Sequence, residues 1–188
     1  MKRPTRFEWI FLAVLIGVTY SVLYPIWKSA RPAAPRTVCL SNLKQLALAA
    51  LMYSNDADDR FPPADRWMDV VESYRTHEDV SHDVEGVPLR GFGYAFRERL
   101  WSVDASELQN SNRLALIFDS DLTDRNAHSE LWSIPQVGRH ASSDGRVDNI
   151  AFADGHARGF LTQSSGRPAR SPLQEMMEDN DRLIRRER

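Results

Sequence analysis

The chain has 188 residues, a formal net charge of −2 and one cysteine, Cys39. Acidic and basic residues are interspersed, with no basic face or Arg-rich stripe carrying aromatics, so nucleic acid is not implied as a partner. A lone cysteine excludes an intramolecular disulfide framework, and beyond the apolar N-terminal stretch roughly 150 residues are left for one domain with its own core.

That stretch is residues 9–27, WIFLAVLIGVTYSVLYPIW, nineteen residues without a charge. A helix rising ~1.5 Å per residue makes it roughly 28 Å long, close to the ~30 Å hydrocarbon core of a bilayer. Trp9 and Trp27 close its two ends, and indole rings favour the depth of the lipid headgroups. The lipid bilayer is therefore the first expected partner. A cleaved secretory signal would instead carry an apolar region of about 7–15 residues followed by small residues at a cleavage site. Here Tyr24-Pro25-Ile26-Trp27 follows, and a permanent anchor is the preferred reading. Lys2, Arg3 and Arg6 before the span are matched by Lys28, Arg31 and Arg36 after it, so charge asymmetry does not set the orientation. The short basic leader, residues 1–8, is read as cytoplasmic. That makes the protein single-pass in the inner (cytoplasmic) membrane, with its C-terminal domain extracytoplasmic.

Pro25 lies in the last turns of the span and is expected to kink it. Residues 28–36 contain Pro32 and Pro35 and read as a short extended hinge or helix break. Residues 37–54 have a helical pattern: Leu40, Leu43, Ala47, Ala50, Leu51 and Ser54 recur at spacings of three and four, with Leu46 and Tyr53 widening the stripe and Asn42, Lys44 and Gln45 on the wet side. Turn formers in residues 55–63 end this helix. Residues 65–74 read as a short helix with Asp65 as N-cap, and residues 75–91, with His77 and His82, as a surface loop. The glycine-spaced aromatic run GFGYAF, residues 91–96, suits a strand or close-packed turn. Residues 104–108 read as one helical turn, residues 113–118 (RLALIF) as a strand ending at Asp119, and residues 131–134 as a shorter strand. In NIAFADGHARGF, residues 149–160, Asp154-Gly155 predicts a two-residue hairpin turn with both loop residues at positive φ. That register sets Phe152 opposite Ala157 and Ile150 opposite Gly159, large against small, on the face offered to the 40–54 stripe. The domain is expected to span residues 37–161, with residues 162–188 a polar charged tail containing an exposed helix.

These segments carry a family resemblance. An apolar N-terminal helix with a proline near its end, then CLSNLKQLALAALMYSNDADDRFPP, GFGYAF, SNRLALIFDSD and NIAFADGHARGF, resembles bacterial prepilin-like proteins. The likeness is to type II secretion pseudopilins and to prepilin-type processing-associated relatives named for a C-terminal His-x9-Asp-Gly signature, and it spans most of residues 7–161. The positions that match the signature are His140, Asp154 and Gly155, with thirteen residues between His140 and Asp154 in place of nine. The resemblance implies an α+β, pilin-like architecture: a transmembrane helix continuing, after a break, into an amphipathic helix packed on an antiparallel sheet. It implies other pilin-like subunits or secretion components as partners, and no catalysis. Pilin-like precursors keep a Gly-Phe cleavage junction, whereas this chain has Arg6-Phe7-Glu8-Trp9. Its helix is accordingly read as a tether rather than a processed filament subunit.

Asp119, Asp121 and Asp124 place three carboxylates in one loop, a candidate calcium set, because a hard cation takes several oxygen ligands. Some of the pseudopilins that the chain resembles hold calcium in a loop beside the sheet. The run lacks the central glycine and terminal glutamate of a helix-loop-helix calcium site, and a solvated acidic turn is the plainer reading. No other cofactor is expected. His128, His140, His156 and Asp154 match no compact zinc spacing, and His140 is expected to hydrogen-bond the backbone of the Asp-Gly hairpin. An anchored metal-dependent hydrolase would need His140, His156 and Asp154 to converge. The sequence has no Gly-x-Ser-x-Gly elbow, phosphate-binding glycine loop or His-Glu-x-x-His helix, and Cys39 among leucines reads as a small buried residue. The expected function is non-enzymatic interaction in a secretion or cell-surface assembly. The alternative is a membrane-tethered module that binds a small solute or cell-wall component, with Trp67, Tyr74, Phe92, Tyr94 and Trp101 lining a groove rather than filling a core.

Overall fold

The uncharged span forms helix α1 (Arg6–Ala30), which continues through Pro25. Its stretch Arg6–Trp27 has a mean hydropathy of 2.0 and buries none of its residues within the protein, so it is long and apolar enough to cross a membrane. Its aliphatic hydroxyls at Thr19 and Ser21 are satisfied internally: Thr19 Oγ1 donates to the Leu15 carbonyl at 2.8 Å and Ser21 Oγ to the Val18 carbonyl at 2.8 Å. Internal pairing of this kind is what an apolar surrounding demands of a helix. This computed structural model describes residues 6–30, 33–75, 92–101, 103–142, 145–164 and 172–186, and the chain separates into two compact units, Met1–Ala34 and Pro35–Arg188. Most of the loop expected at residues 75–91 lies outside the described residues.

Helix α2 (Ala33–Asp56) begins earlier than the pattern predicts. Helix covers residues 28–30 and 33–36 of the hinge or helix break expected there, which corrects its extended form at those positions, and residues 31–32 lie outside the described residues. Pro35 falls in the first turn of α2, where backbone N–H groups have no helical partner to lose. Cys39, Leu43, Leu46, Ala47, Ala49, Ala50 and Ser54 are buried, and so is Asn42, which the pattern puts on the wet side. Asp58 and Asp59 follow the helix with φ of 50° and 58°; short polar side chains of this type visit the left-handed region most readily after glycine.

Six strands form one sheet: β1 (Tyr94–Arg97), β2 (Ala115–Asp119), β3 (His128–Ser129), β4 (His140–Ser142), β5 (Gly145–Phe152) and β6 (Ala157–Ser164). β3 runs parallel to β1, and the other pairings are antiparallel. β6 pairs along β5, which also pairs with β2 near Phe152 and with β4 near Gly145. Side chains alternate between the faces. Tyr94, Phe96, Ile117 and Ala151 pack with Leu43, Leu46 and Trp67 on one face. Ala95, Phe118, Ile150, Phe152 and Phe160 pack with Leu173, Met176 and Met177 on the other. The fold is thus α+β, with an amphipathic helix on a mostly antiparallel sheet, as the sequence predicts.

Four local expectations are corrected. The hairpin is one residue longer: Phe152 N–H donates to the His156 carbonyl at 2.8 Å and Gly155 N–H to the Phe152 carbonyl at 2.9 Å, leaving Ala153, Asp154 and Gly155 as the loop. Only Gly155 takes a positive φ, +88°, as in a turn followed by one left-handed residue. Asp154 Oδ1 accepts from His156 N–H at 3.1 Å and contacts His156 Nδ1 at 2.6 Å, which secures this longer loop. A one-residue slip exchanges the faces, so Ala151 opposite Ala157 and Asn149 opposite Gly159 face α2, while Ile150 and Phe152 face away from it.

The helix expected over residues 65–74 is instead a 3₁₀ turn, a single α-turn α3 (Trp67–Val70) and a second 3₁₀ turn, and Asp65 does not cap it. Met68 N–H donates to Asn126 Oδ1 at 2.8 Å, so a distant side chain does the capping. Residues 131–134 contain a 3₁₀ turn rather than a strand, held where the Asp121 N–H donates to the Ser133 carbonyl at 2.9 Å. Lastly, β6 runs on to Ser164, and helix α4 (Pro172–Arg186) belongs to the same compact unit. Its Leu173, Asn180 and Leu183 are buried. Asn180 Oδ1 accepts from Arg97 Nη1 at 2.8 Å and from the Ala115 N–H at 2.7 Å, beside the irregularity in β2 that disturbs its ladder to β5.

Candidate functional site

Along one edge of β5, β2 reaches Ile150 and β4 reaches Val147, so Asp148 and Asn149 fall at the junction of the two shorter strands. Carboxylates replace the missing ladder partners there. Asp119, at the end of β2, accepts the Asn149 N–H at 2.6 Å and meets His140 Nε2 at 2.9 Å through the same oxygen, Oδ2. Asp148 Oδ1 accepts the Arg139 N–H at 2.8 Å and its Oδ2 accepts from Thr162 Oγ1 at 2.6 Å. Arg139 donates to the Gly93 carbonyl at 2.8 Å and the Ser120 carbonyl at 2.5 Å. Arg146 donates to the carbonyls of Gly138 and Arg139, each at 2.6 Å.

Asp119, His140, Asp148 and Asn149 are all fully buried. Burial is the main cause that pushes the Asp148 carboxyl up to about 6, against the opposing hydrogen bonds from Thr162 and the Arg139 backbone. Such a network, closed to solvent, fixes strand ends in place. Its chemistry is that of a structural junction. The amide oxygen and nitrogen of Asn149 have no hydrogen-bond partner among the described residues.

The structure separates several residues that the sequence groups. His140 pairs with Val147, seven positions before Asp154, which is roughly 20 Å along a strand. His140 therefore meets Asp119 rather than the Asp154-Gly155 hairpin, and His140, His156 and Asp154 do not converge. Among Asp119, Asp121 and Asp124, the first points into the buried junction, while Asp121 is exposed beside Arg139 and Asp124 is exposed. Among the described residues no three or more His, Cys, Asp or Glu side chains are grouped to hold a metal ion. Cys39 is buried on α2, and Trp9 and Trp27 are exposed on α1.

The aromatics divide as well. Trp67 and Tyr94 are fully buried, and Tyr74 and Phe92 pack partly buried against the same core. Trp101 is 49 % exposed and lines a cleft of about 400 Å³ with Pro63, Asp65, Arg66, Glu98 and His128. The sequence gives no signal that distinguishes Trp101 from the core aromatics.

Residues 28–114 match the family model of a protein of unknown function, DUF1559. The matched part covers α2, α3 and β1 and ends just before β2, so it includes the Trp101 side of the cleft and leaves out the Asp119–His140 junction. No curated protein and no solved structure matches the chain significantly.

Proposed function

We infer that this is a non-enzymatic, membrane-anchored, pilin-like protein that acts through protein–protein contact in a secretion or cell-surface assembly. In this reading α1 stays in the inner membrane as a single-pass anchor and the residues after it lie outside the cytoplasm. The observation that carries it is α1 itself: its stretch Arg6–Trp27 leaves every apolar side chain exposed, a state that is stable in a bilayer and costly in water. Helix α2 packed on a mostly antiparallel sheet supports the pilin-like part. The absence of glycine before Phe7 favours a tether over a subunit released into a filament.

Topology reporters test the reading. A reporter active only outside the cytoplasm, fused after Arg188, is expected to be active, with the protein retained in membranes washed at alkaline pH. A cytoplasmic reporter active at that position would contradict it.

A further inference from the structure

The cleft beside Trp101 has the make-up of a binding site. Its walls are fixed from behind. Trp67 Nε1–H donates to the Ala127 carbonyl at 2.9 Å, and the same carbonyl accepts the Phe96 N–H at 3.0 Å, which ties β3 to β1 and to α3. The Arg99 N–H donates to Glu130 Oε1 at 3.2 Å, and Ala105 N–H to the Asp59 carbonyl at 2.6 Å. Ala64, which also lines the cleft, and Leu100, next to Trp101 in the chain, are buried.

On this frame the charged side chains are uncommitted. Asp65, Arg66 and Glu98 make no side-chain hydrogen bond or ion pair among the described residues, whereas nearby Asp69 and Glu72 are both engaged by Arg125, at 2.5 Å and 2.7 Å. His128 Nδ1 lies 3.1 Å from the Asn126 carbonyl, so the proton sits on Nδ1 in the neutral ring and Nε2 is left as an acceptor.

We propose that this cleft binds a neutral saccharide ring, stacked on Trp101 with its hydroxyls held by Asp65, Glu98 and Arg66. Its volume of about 400 Å³ lies within the range of small-ligand pockets. Two carboxylates against one guanidinium disfavour a polyanion, and Arg66 disfavours a compact cation. The mixed lining disfavours a purely apolar molecule. A pyranose presents C–H groups on one face, which suit the electron-rich face of indole. Its hydroxyls both donate and accept, and so use carboxylate and guanidinium together in charge-assisted hydrogen bonds. The inference concerns a site separate from α1 and does not depend on membrane topology.

The test is titration of the full chain, in a detergent without sugar headgroups, with the N-acetylglucosamine trimer, cellotriose and maltotriose, read by tryptophan fluorescence and calorimetry. At least one trisaccharide is expected to saturate. Trp101→Ala should weaken that binding roughly tenfold or more, and the pair Asp65→Asn with Glu98→Gln should weaken it comparably. Trp132→Ala, at an exposed tryptophan outside the cleft, should leave it unchanged. An unchanged melting temperature shows that the variants are folded, as their solvent-facing positions lead one to expect. The proposal is overturned if none of the three sugars saturates, if Trp101→Ala binds as the parent does, or if choline saturates the cleft in their place.

Discussion

Helices α1 and α2 are nearly equal in length, 25 and 24 residues, and both are rich in apolar side chains. They dispose of them in opposite ways. Around α1 the apolar groups point in every direction and none is covered by the protein. Those of α2 form a stripe in which Leu43, Leu46, Ala47 and Ala50 are fully buried, with charged and polar groups such as Lys44 left outside. A helix apolar all round needs an apolar medium, and a striped one needs a single packing surface. The domain therefore builds its core without α1, while α1 needs an apolar surrounding that the domain does not supply.

Leu43→Ala in α2 should cost the domain about 2–5 kcal/mol without loosening the protein from membranes, measured by denaturant unfolding and by membrane fractionation. Ile16→Arg in α1 should do the reverse. A charge at the centre of a span costs about 2.5–3.5 kcal/mol of insertion, so the membrane fraction should fall while the domain's melting temperature stays fixed. If Ile16→Arg destabilised the domain, α1 would be part of its core.

The Asp148 carboxyl is raised from 3.8 to about 6, so the folded state takes up its proton before the unfolded state does. Its contribution to stability is fully present below pH ~4 and is lost as pH rises through about 6, on the order of 3 kcal/mol. Asp148→Asn should remove that component from the pH dependence of unfolding and leave membrane retention alone. The smallest effect is expected at the hairpin. Gly155 has a φ of +88°, and an added Cβ would meet Leu48 and Leu51 of α2 at 3.0 Å. Gly155→Ala should cost about 1–2 kcal/mol for the left-handed backbone, again only in the domain's unfolding curve.

The elements legible in the sequence are those whose signal is local. The uncharged run of α1, the stripe of α2, strand β2 and the presence of a hairpin at Asp154-Gly155 all follow from residue order. Details decided by partners far along the chain were not legible. The hairpin's register turned on the Asp154 side chain accepting from His156, and one residue of slip moved Phe152 to the opposite face. Helix α4 reads as a charged tail because Asn180 and Arg97, its buried latch to the sheet, are polar and lie 83 positions apart. The Asp119–His140 pair has a separation of 21 and sits on strand ends too short to announce themselves. Likewise, only the fold distinguishes Trp101 at an open cleft from Trp67 in the core.

The central claim, that α1 remains in the protein as its anchor, is tested most directly by the intact mass of the protein extracted from membranes. The expected species is the full chain, less at most Met1. A chain beginning beyond Trp27 would make α1 a removed signal sequence and contradict the anchor.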